Sequence, residues 1–178
     1  LKENYMSLKV GDAAPNFTLK NTNNESVSLS DFKGKKNVVI LFFPAVGTSV
    51  CEKELCSTRD GMKDYENLNA QVLAISVDGP FAQKLWADKN QFNFPVLSDF
   101  NKEVSPAYGS FYDVWLPGKW DLKGVSKISA FFFNNNSFCF PDLCVCHPGF
   151  CYRICLCLFK PRSFDVLYDI RFLGRSKR

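Results

Sequence analysis

The run NVVILFF at residues 37–43 constrains the fold more than any other stretch of this sequence. It is continuous rather than alternating and consists mainly of β-branched and aromatic residues, which is typical of a strand buried on both faces of a parallel or mixed sheet. A second such run, AQVLAISV, follows at residues 70–77. Between the two, apolar residues recur at helical spacing from Ser49 to about Asn69. The S-x-x-E capping box of Ser49 and Glu52 predicts that this helix begins at Ser49, with Ser49 itself as the N-cap.

Strands and helices continue to alternate around these runs. The expected elements are a hairpin of residues 16–20 and 26–29, a helix at 81–92, a third strand at 94–99, a short helix at 102–109, a loop with aromatic residues at 110–127 and a strand at 128–133. This alternation predicts an α/β fold with a central mixed β-sheet flanked by helices. Residues 37–43 should form a central strand of that sheet.

The composition indicates a protein with a substantial core. The chain has 178 residues, of which 46% are hydrophobic, and this suffices for one domain. Its net charge is +4, but residues 1–130 contain 15 Lys and Arg against 15 Asp and Glu. We therefore expect no nucleic-acid surface on the main body, because phosphate binding needs a clustered basic patch. No apolar run approaches the ~20 residues that span a bilayer. The amino-terminal residues also lack the apolar stretch of a signal peptide, so we expect no membrane association and a cytoplasmic location.

The composition changes abruptly after residue 134. We expect residues 6–134, which begin at Met6, to form the folded domain, and residues 135–178 to form an atypical Cys-rich tail. The tail holds six of the eight cysteines and the single histidine, but their spacing lacks the paired grouping of a structural zinc site. Two interpretations remain open: a metal-binding segment, or the product of unspliced or out-of-frame translation. The carboxy-terminal elements of the domain are then atypical or missing.

The stretch FFPAVGTSVC places reactive chemistry at the start of the predicted helix. With Ser49 as N-cap, Cys51 is the second helical residue, where free backbone N–H groups and the helix dipole favour a thiolate. We therefore expect a lowered pKa and a nucleophilic Cys51. Thr48 can both donate and accept a hydrogen bond beside the sulfur, which suits hydrogen peroxide or a hydroperoxide. Pro44 offers no N–H donor and can shield the sulfur from water.

The motif P-x-x-x-T-x-x-C, formed by Pro44, Thr48 and Cys51, resembles the active-site motif of peroxiredoxins of the AhpC/TSA superfamily. Further similar stretches run from VGDAAPNFTL through FPVLSD to AYG. The resemblance implies a thioredoxin-like fold and thiol-dependent reduction of hydrogen peroxide and organic hydroperoxides, without a cofactor. Cys51 would be the peroxidatic cysteine, which the peroxide oxidises to a sulfenic acid. Thioredoxin or a similar thiol would be the reductant, and the protein would be a monomer or a homodimer.

The second cysteine of CEKELC resembles the resolving cysteine of the PrxQ or bacterioferritin-comigratory subgroup, whereas LAISVDGP and FNFPVLSDF resemble the one-cysteine AhpE subgroup. In an ideal helix, residues five apart have Cα atoms about 8.7 Å apart. A disulfide requires less than ~7 Å. Cys51 and Cys56 could therefore bond only after the helix unwinds locally. The alternative interpretation is that Cys56 simply fills a helix face as a small apolar residue.

Four further residues bear on the site. Glu54 resembles the family glutamate that orients an active-site arginine, and Arg59 is either a solvated charge or a residue that orders the site. The resemblance implies an arginine just before the strand SAFFF, where this sequence has Ile128. We expect the neighbouring Lys127 to point to the opposite face of that strand. A catalytically impaired thioredoxin-fold protein, acting in redox sensing or interaction, is the alternative function.

Overall fold

The structure is a computed structural model that describes residues 8, 11–115, 122–134 and 137–140, the last of these for the backbone alone. The strands are β1 (Thr18–Asn21), β2 (Ser26–Ser28), β3 (Asn37–Phe42), β4 (Ala70–Ser76), β5 (Val96–Ser98), β6 (Phe111–Trp115), β7 (Leu122–Ser126), β8 (Ser129–Asn134) and β9 (Ser137–Phe140). The helices are α1 (Ser49–Asp60), α2 (Met62–Asn67), α3 (Pro80–Asn90) and α4 (Val104–Ala107), and Leu29–Phe32 form a 3-10 turn. Among the described residues, no helix is both long and apolar enough to cross a membrane.

Seven strands form one mixed sheet in the order β2-β1-β5-β4-β3-β8-β9. β3 pairs in parallel with β4 and antiparallel with β8, and β4 pairs in parallel with β5. The carboxyl ends of β3 and β4 therefore lie side by side, which is the edge where α/β sheets place their sites. The predicted hairpin, the central position of residues 37–43 and the mixed sheet are confirmed. The sheet and its flanking helices form the thioredoxin-like fold expected from the sequence.

Side chains alternate between two cores along β3. Val38, Ile40 and Phe42 pack with Tyr108 and other residues on one face of the sheet. The opposite face buries two β3 residues and the following Phe43 against α1 and α3, in a cluster formed by Val39, Leu41, Phe43, Cys51, Leu55, Ala70, Val72, Ala74, Trp86, Phe94 and Val96. Both faces are covered, which explains why β3 is apolar at every position after Asn37 rather than at every second one.

The structure corrects two of the expected elements. The helix predicted to reach Asn69 is broken at Gly61, whose N–H bonds to Ser57 O, so that α1 ends at Asp60 and a separate α2 follows. The loop predicted at 110–127 contains β6 and β7, which pair antiparallel as a second, two-stranded sheet. The three central residues of β6 are exposed and its burial does not alternate, so the aromatic and β-branched content of FYDVW was the available signal for a strand.

The sheet continues past residue 134, the expected end of the domain. β9 pairs antiparallel with β8 after an irregularity between Phe132 and Phe133, and it forms the last strand of the large sheet. Residues 141–178 and the expected start at Met6 lie outside the described residues. The domain boundaries and the nature of the Cys-rich tail remain predictions.

Candidate active site

The loop between β3 and α1 presents the motif residues at the carboxyl end of β3. Pro44 is buried at its beginning, and Gly47 has a φ of 75°, a left-handed conformation that glycine adopts without strain. Thr48 is the N-cap of α1, with extended backbone, and its Oγ1 donates a hydrogen bond to Ala45 O at 3.1 Å. The helix begins at Ser49 as predicted, but the N-cap is Thr48 rather than Ser49. Cys51 is therefore the third residue of α1.

Cys51 lies beneath this loop and is only 1% exposed. It packs in the same core cluster as Phe43, Leu55 and Trp86. Burial raises the pKa of the Cys51 thiol, and the nearby Glu54 and Asp78 add to this effect, while hydrogen bonds with the Thr48 side chain and the Ala45 backbone act in the opposite direction. The expectation of a lowered pKa was therefore wrong. Desolvation disfavours the thiolate by more than its hydrogen bonds favour it.

Cys51 and Cys56 are both free thiols in one uninterrupted helix. Cys51 belongs to the core between α1 and the sheet, whereas the Cys56 thiol donates to Asn90 Oδ1 of α3 at 3.8 Å. The sulfur atoms of these two residues, which lie five positions apart, thus have different surroundings. This agrees with the helical geometry that requires local unwinding before a disulfide can form.

The Glu54 carboxyl is largely buried. Among the described residues its Oε2 has no hydrogen-bond partner. Burial raises the pKa of Glu54 to about 7, because a carboxylate removed from water without a cation nearby is costly. Glu54 follows Cys51 by three residues, which places both on one side of α1. The structure therefore brings together Pro44, Thr48, Cys51 and Glu54.

Arg59 lies at the opposite end of α1. Its guanidinium forms an ion pair with Asp60 Oδ1 at 2.8 Å and donates to the backbone carbonyl of Asn90. Asn90 also accepts the hydrogen bond from Cys56, so the contacts of Arg59 place it with Cys56 rather than with Cys51. Any role of Arg59 in ordering the site would act through Cys56.

Lys127 and Ile128 connect β7 to β8 and belong to neither strand. The expected argument from strand alternation therefore does not apply to Lys127. Its Nζ donates to Gly109 O at 3.4 Å and lies 5.6 Å from the centre of the Tyr112 ring. Ile128 directly precedes Ser129, which pairs with Phe42. Because Phe42 is the last residue of β3, Ile128 lies next to the point where the active-site loop begins.

The sequence reasoning missed Asp78, which directly follows the buried β4 run. Asp78 Oδ2 accepts a hydrogen bond from the Val46 N–H at 2.9 Å, within the active-site loop. A signal was available, because the ends of adjacent parallel strands converge and an acidic residue just past one of them should lie near the loop that follows the other. A second missed contact joins α3 to α1, where Trp86 Nε1 donates to Glu52 Oε2 at 3.2 Å.

A cysteine in the first turn of a helix, directly after the central strand of a thioredoxin-like sheet, defines a class of thiol-based redox proteins. Within that class the chain belongs to the AhpC/TSA family, whose model matches residues 10–141. It is a peroxiredoxin, a thiol-dependent peroxidase.

Curated relatives agree with this assignment. The chain is 45% identical to alkyl hydroperoxide reductase E of Mycobacterium tuberculosis over 106 residues, which cover 58% of this chain and 69% of the relative. It is 35% identical to peroxiredoxin Bcp of Escherichia coli over 122 residues, covering 68% of this chain and 77% of the relative. It is also 36% identical to the chloroplastic peroxiredoxin Q of Populus jackii over 130 residues, which cover 70% of this chain and 61% of the relative.

Solved structures share the fold. Peroxidoxin BcpB of M. tuberculosis superposes with a TM-score of 0.65 at 27% identity, over 74% of this chain and 82% of that chain. A PrxQ variant from Xylella fastidiosa gives a TM-score of 0.68 at 20% identity, over 77% of this chain and 86% of that chain.

Proposed function

We propose that this peroxiredoxin reduces hydrogen peroxide and organic hydroperoxides with Cys51 as the nucleophile. The observation that carries the proposal is the position of Cys51 in the first turn of α1, hydrogen-bonded with Thr48 beneath the loop that begins at Pro44. The name of the M. tuberculosis relative, alkyl hydroperoxide reductase E, supports an organic hydroperoxide as substrate. The apolar neighbours Phe43 and Trp86 suit an alkyl group as well.

The reaction begins with the Cys51 thiolate. The sulfur attacks the terminal oxygen of ROOH, the S–O bond forms as the O–O bond breaks, and the departing alkoxide takes up a proton to leave as ROH. The sulfur is oxidised to a sulfenic acid and the peroxide is reduced. Thr48 Oγ1, which now donates to Ala45 O, is the group that can hold the substrate oxygens.

Cys56 is proposed as the resolving thiol. Its sulfur attacks the sulfenic sulfur of Cys51, a disulfide forms, and the hydroxyl leaves as water. The first turns of α1 must unwind for this step, because the folded helix holds the two residues too far apart. Thioredoxin or a similar dithiol would then reduce the disulfide by thiol exchange.

The experiment that tests the proposal compares the wild-type chain with Cys51→Ser in a peroxide-consumption assay containing thioredoxin, thioredoxin reductase and NADPH. Cumene hydroperoxide and hydrogen peroxide serve as substrates. The wild type should consume both, and Cys51→Ser should consume neither, since a serine hydroxyl has no accessible anion at neutral pH. Consumption by the serine variant at the wild-type rate would refute the assignment of Cys51.

A catalytically impaired redox sensor is the second candidate function. It is favoured by the raised pKa of Cys51 together with an isoleucine at position 128. The rate constant of Cys51 oxidation, measured without reductant, distinguishes the two. A sensor would still form its sulfenic acid, but slowly and without turnover when thioredoxin is added.

We propose a reducing compartment, the cytosol, as the location, because turnover requires that Cys51 and Cys56 return to the thiol state. The Populus relative is named as chloroplastic, so imaging of a fluorescent fusion of the full-length gene product is the appropriate measurement. Size-exclusion chromatography would distinguish the monomer from the homodimer.

A further inference from the structure

A chain of polar groups crosses the buried core beneath the active-site loop. Gln83 of α3 and Ser76 of β4 are both fully buried. Gln83 Nε2 donates to Ser76 Oγ at 2.9 Å and to Leu97 O at 3.0 Å. Because an amide nitrogen can only donate, Ser76 Oγ is the acceptor in the first of these bonds. The Ser76 hydroxyl proton is thereby directed to Asp78 Oδ2, 2.8 Å away.

Asp78 connects these hydrogen-bonded groups to the active-site loop. The same Oδ2 accepts the hydrogen bond from the Val46 N–H at 2.9 Å, and Val46 lies between Pro44 and Thr48. On its other side, Asp78 is fixed by Ser98 Oγ of β5, which donates to the Asp78 carbonyl at 2.7 Å. Asp78 thus joins the ends of two neighbouring strands to the backbone segment that lies over Cys51.

We propose that Asp78, oriented by Ser76 and Gln83, is a positioning residue that holds the active-site loop in its reactive geometry through the Val46 N–H. The inference rests on the proposed function of Cys51. Loop position matters because Thr48 and the Ala45 backbone both hydrogen-bond with Cys51. A misplacement of about 1 Å in such a constellation can cost about 100-fold in rate.

The positioning role of Asp78 is distinct from the electrostatic effect of its charge on Cys51. Asp78 and Glu54 are the carboxylates that act on Cys51, and both raise its pKa. Asp78 therefore opposes formation of the thiolate while its hydrogen bond holds the loop that surrounds the sulfur. The two effects can be separated, because one depends on charge and the other on an acceptor atom.

The experiment uses three variants of the full chain. Asp78→Ala removes both the charge and the acceptor, Asp78→Asn removes the charge and keeps an acceptor oxygen, and Ser98→Ala removes a hydrogen bond to the same residue that does not reach the loop. The rate constant with cumene hydroperoxide is measured across pH, up to the plateau where Cys51 is fully ionised. Alkylation of Cys51 by iodoacetamide, followed by peptide mass spectrometry, gives its ionisation midpoint, and NMR gives amide exchange at Val46.

The plateau rate of Asp78→Ala should fall about 10- to 100-fold, and its Val46 amide should exchange at least tenfold faster. Asp78→Asn should keep the plateau rate and the Val46 protection within about threefold, and it should move the alkylation midpoint to lower pH, because the charge that opposes the thiolate is gone while the loop stays in place. Ser98→Ala should resemble the wild type in all three measurements. A wild-type plateau and protected Val46 in Asp78→Ala would overturn the proposal, and so would an Asp78→Asn variant as impaired as Asp78→Ala.

These readouts also separate the positioning role from the proposed function. If the wild type itself fails to react with peroxide, the function of Cys51 is refuted. Exchange at Val46 and the alkylation midpoint still report on Asp78 in that case, because neither depends on peroxide. Loss of Val46 protection in Asp78→Ala but not in Asp78→Asn would retain the inference that Asp78 positions the loop.

Discussion

Replacing Ile128 by arginine should increase the reactivity of Cys51. The pKa of this thiol is raised mainly by burial, and the fields of Glu54 and Asp78 add to the effect. Residue 128 directly precedes β8, whose Ser129 pairs with Phe42 at the carboxyl end of β3, where the active-site loop begins. In the part of the chain that the structure describes, no cation contributes to the pKa of Cys51 or of Glu54, and a guanidinium at position 128 would supply one.

The magnitude follows from the effect of one nearby opposite charge, which lowers the pKa of an acid by about 1–3 units. Below its pKa, a thiol gains about tenfold in thiolate fraction for each unit. A preorganised donor near the departing oxygen contributes up to about 3 kcal/mol more. We therefore expect the second-order rate constant at pH 7 to rise about 10- to 100-fold, since the cost of burying the arginine offsets part of the gain.

Glu54 determines how much of the free-energy cost of burying the arginine is recovered. Its buried carboxyl has a pKa of about 7 and, among the described residues, an Oε2 without a hydrogen-bond partner. An ion pair with the new arginine should restore its ionisation at neutral pH. The gain in Ile128→Arg should therefore shrink when Glu54→Gln is added, and a double-mutant cycle measures the coupling.

Stopped-flow measurement of Cys51 oxidation across pH is the assay, with alkylation of Cys51 as an independent measure of its ionisation. Ile128→Gln is the matched control, because it adds a long polar side chain without charge. Lys127→Arg should change little, since Lys127 already contacts Gly109 and Tyr112. If Ile128→Arg leaves the rate and the ionisation midpoint unchanged while Lys127→Arg shifts both, the assigned position of residue 128 is wrong.

Three other variants test the remaining parts of the site. Thr48→Val should lower the peroxide rate about tenfold while the circular dichroism spectrum stays unchanged, and an unaltered rate would remove Thr48 from the substrate site. Cys56→Ser should accumulate the Cys51 sulfenic acid and stop thioredoxin-dependent turnover, whereas a Cys51 disulfide with another cysteine, found by mass spectrometry, would place the resolving thiol elsewhere. Glu54→Gln should reduce the pH dependence of stability. The folded-state pKa of Glu54 is raised from 4.5 to about 7, so the stability of the neutral form is fully present below pH 4.5 and is lost as pH rises through 7. Urea unfolding at pH 5 and pH 8 should show a loss up to about 3 kcal/mol smaller in the variant, and an equal loss would contradict the assigned burial.

The sheet and the start of α1 could be predicted from the sequence because both depend on local pattern. The run is apolar at every position from residue 38 to 43, and β3 is indeed covered on both faces. The same reasoning predicted Cys51 as the second residue of the helix, and the structure has it as the third. The pair β6 and β7 could not be found this way, because exposure does not alternate along either strand: the three central residues of β6 are exposed, and in β7 two exposed residues precede three buried ones.

The pKa of Cys51 could not be predicted because it is a balance of two opposing effects. The helix start, which favours a thiolate, is visible in the sequence. The depth of burial, which disfavours it, depends on how α1 and α3 close over the sheet. With Cys51 only 1% exposed, burial is the larger effect. Asp78 was missed for a related reason, since its hydrogen bond to Val46 joins residues 32 positions apart.

The same local opening of α1 would serve both ionisation and resolution in this chain. Burial is the largest cause of the raised pKa of Cys51, and it also raises the pKa of Glu54. Unwinding the first turns of α1 would return both side chains to water and so remove that cause from each. The disulfide between Cys51 and Cys56 requires the same unwinding, because the intact helix holds the two residues too far apart. Among the described residues no cation acts on the Cys51 thiolate, so the free energy of opening α1 contributes to the barrier of both steps. A chain with arginine at position 128 would ionise Cys51 inside the closed helix and need the opening for resolution alone.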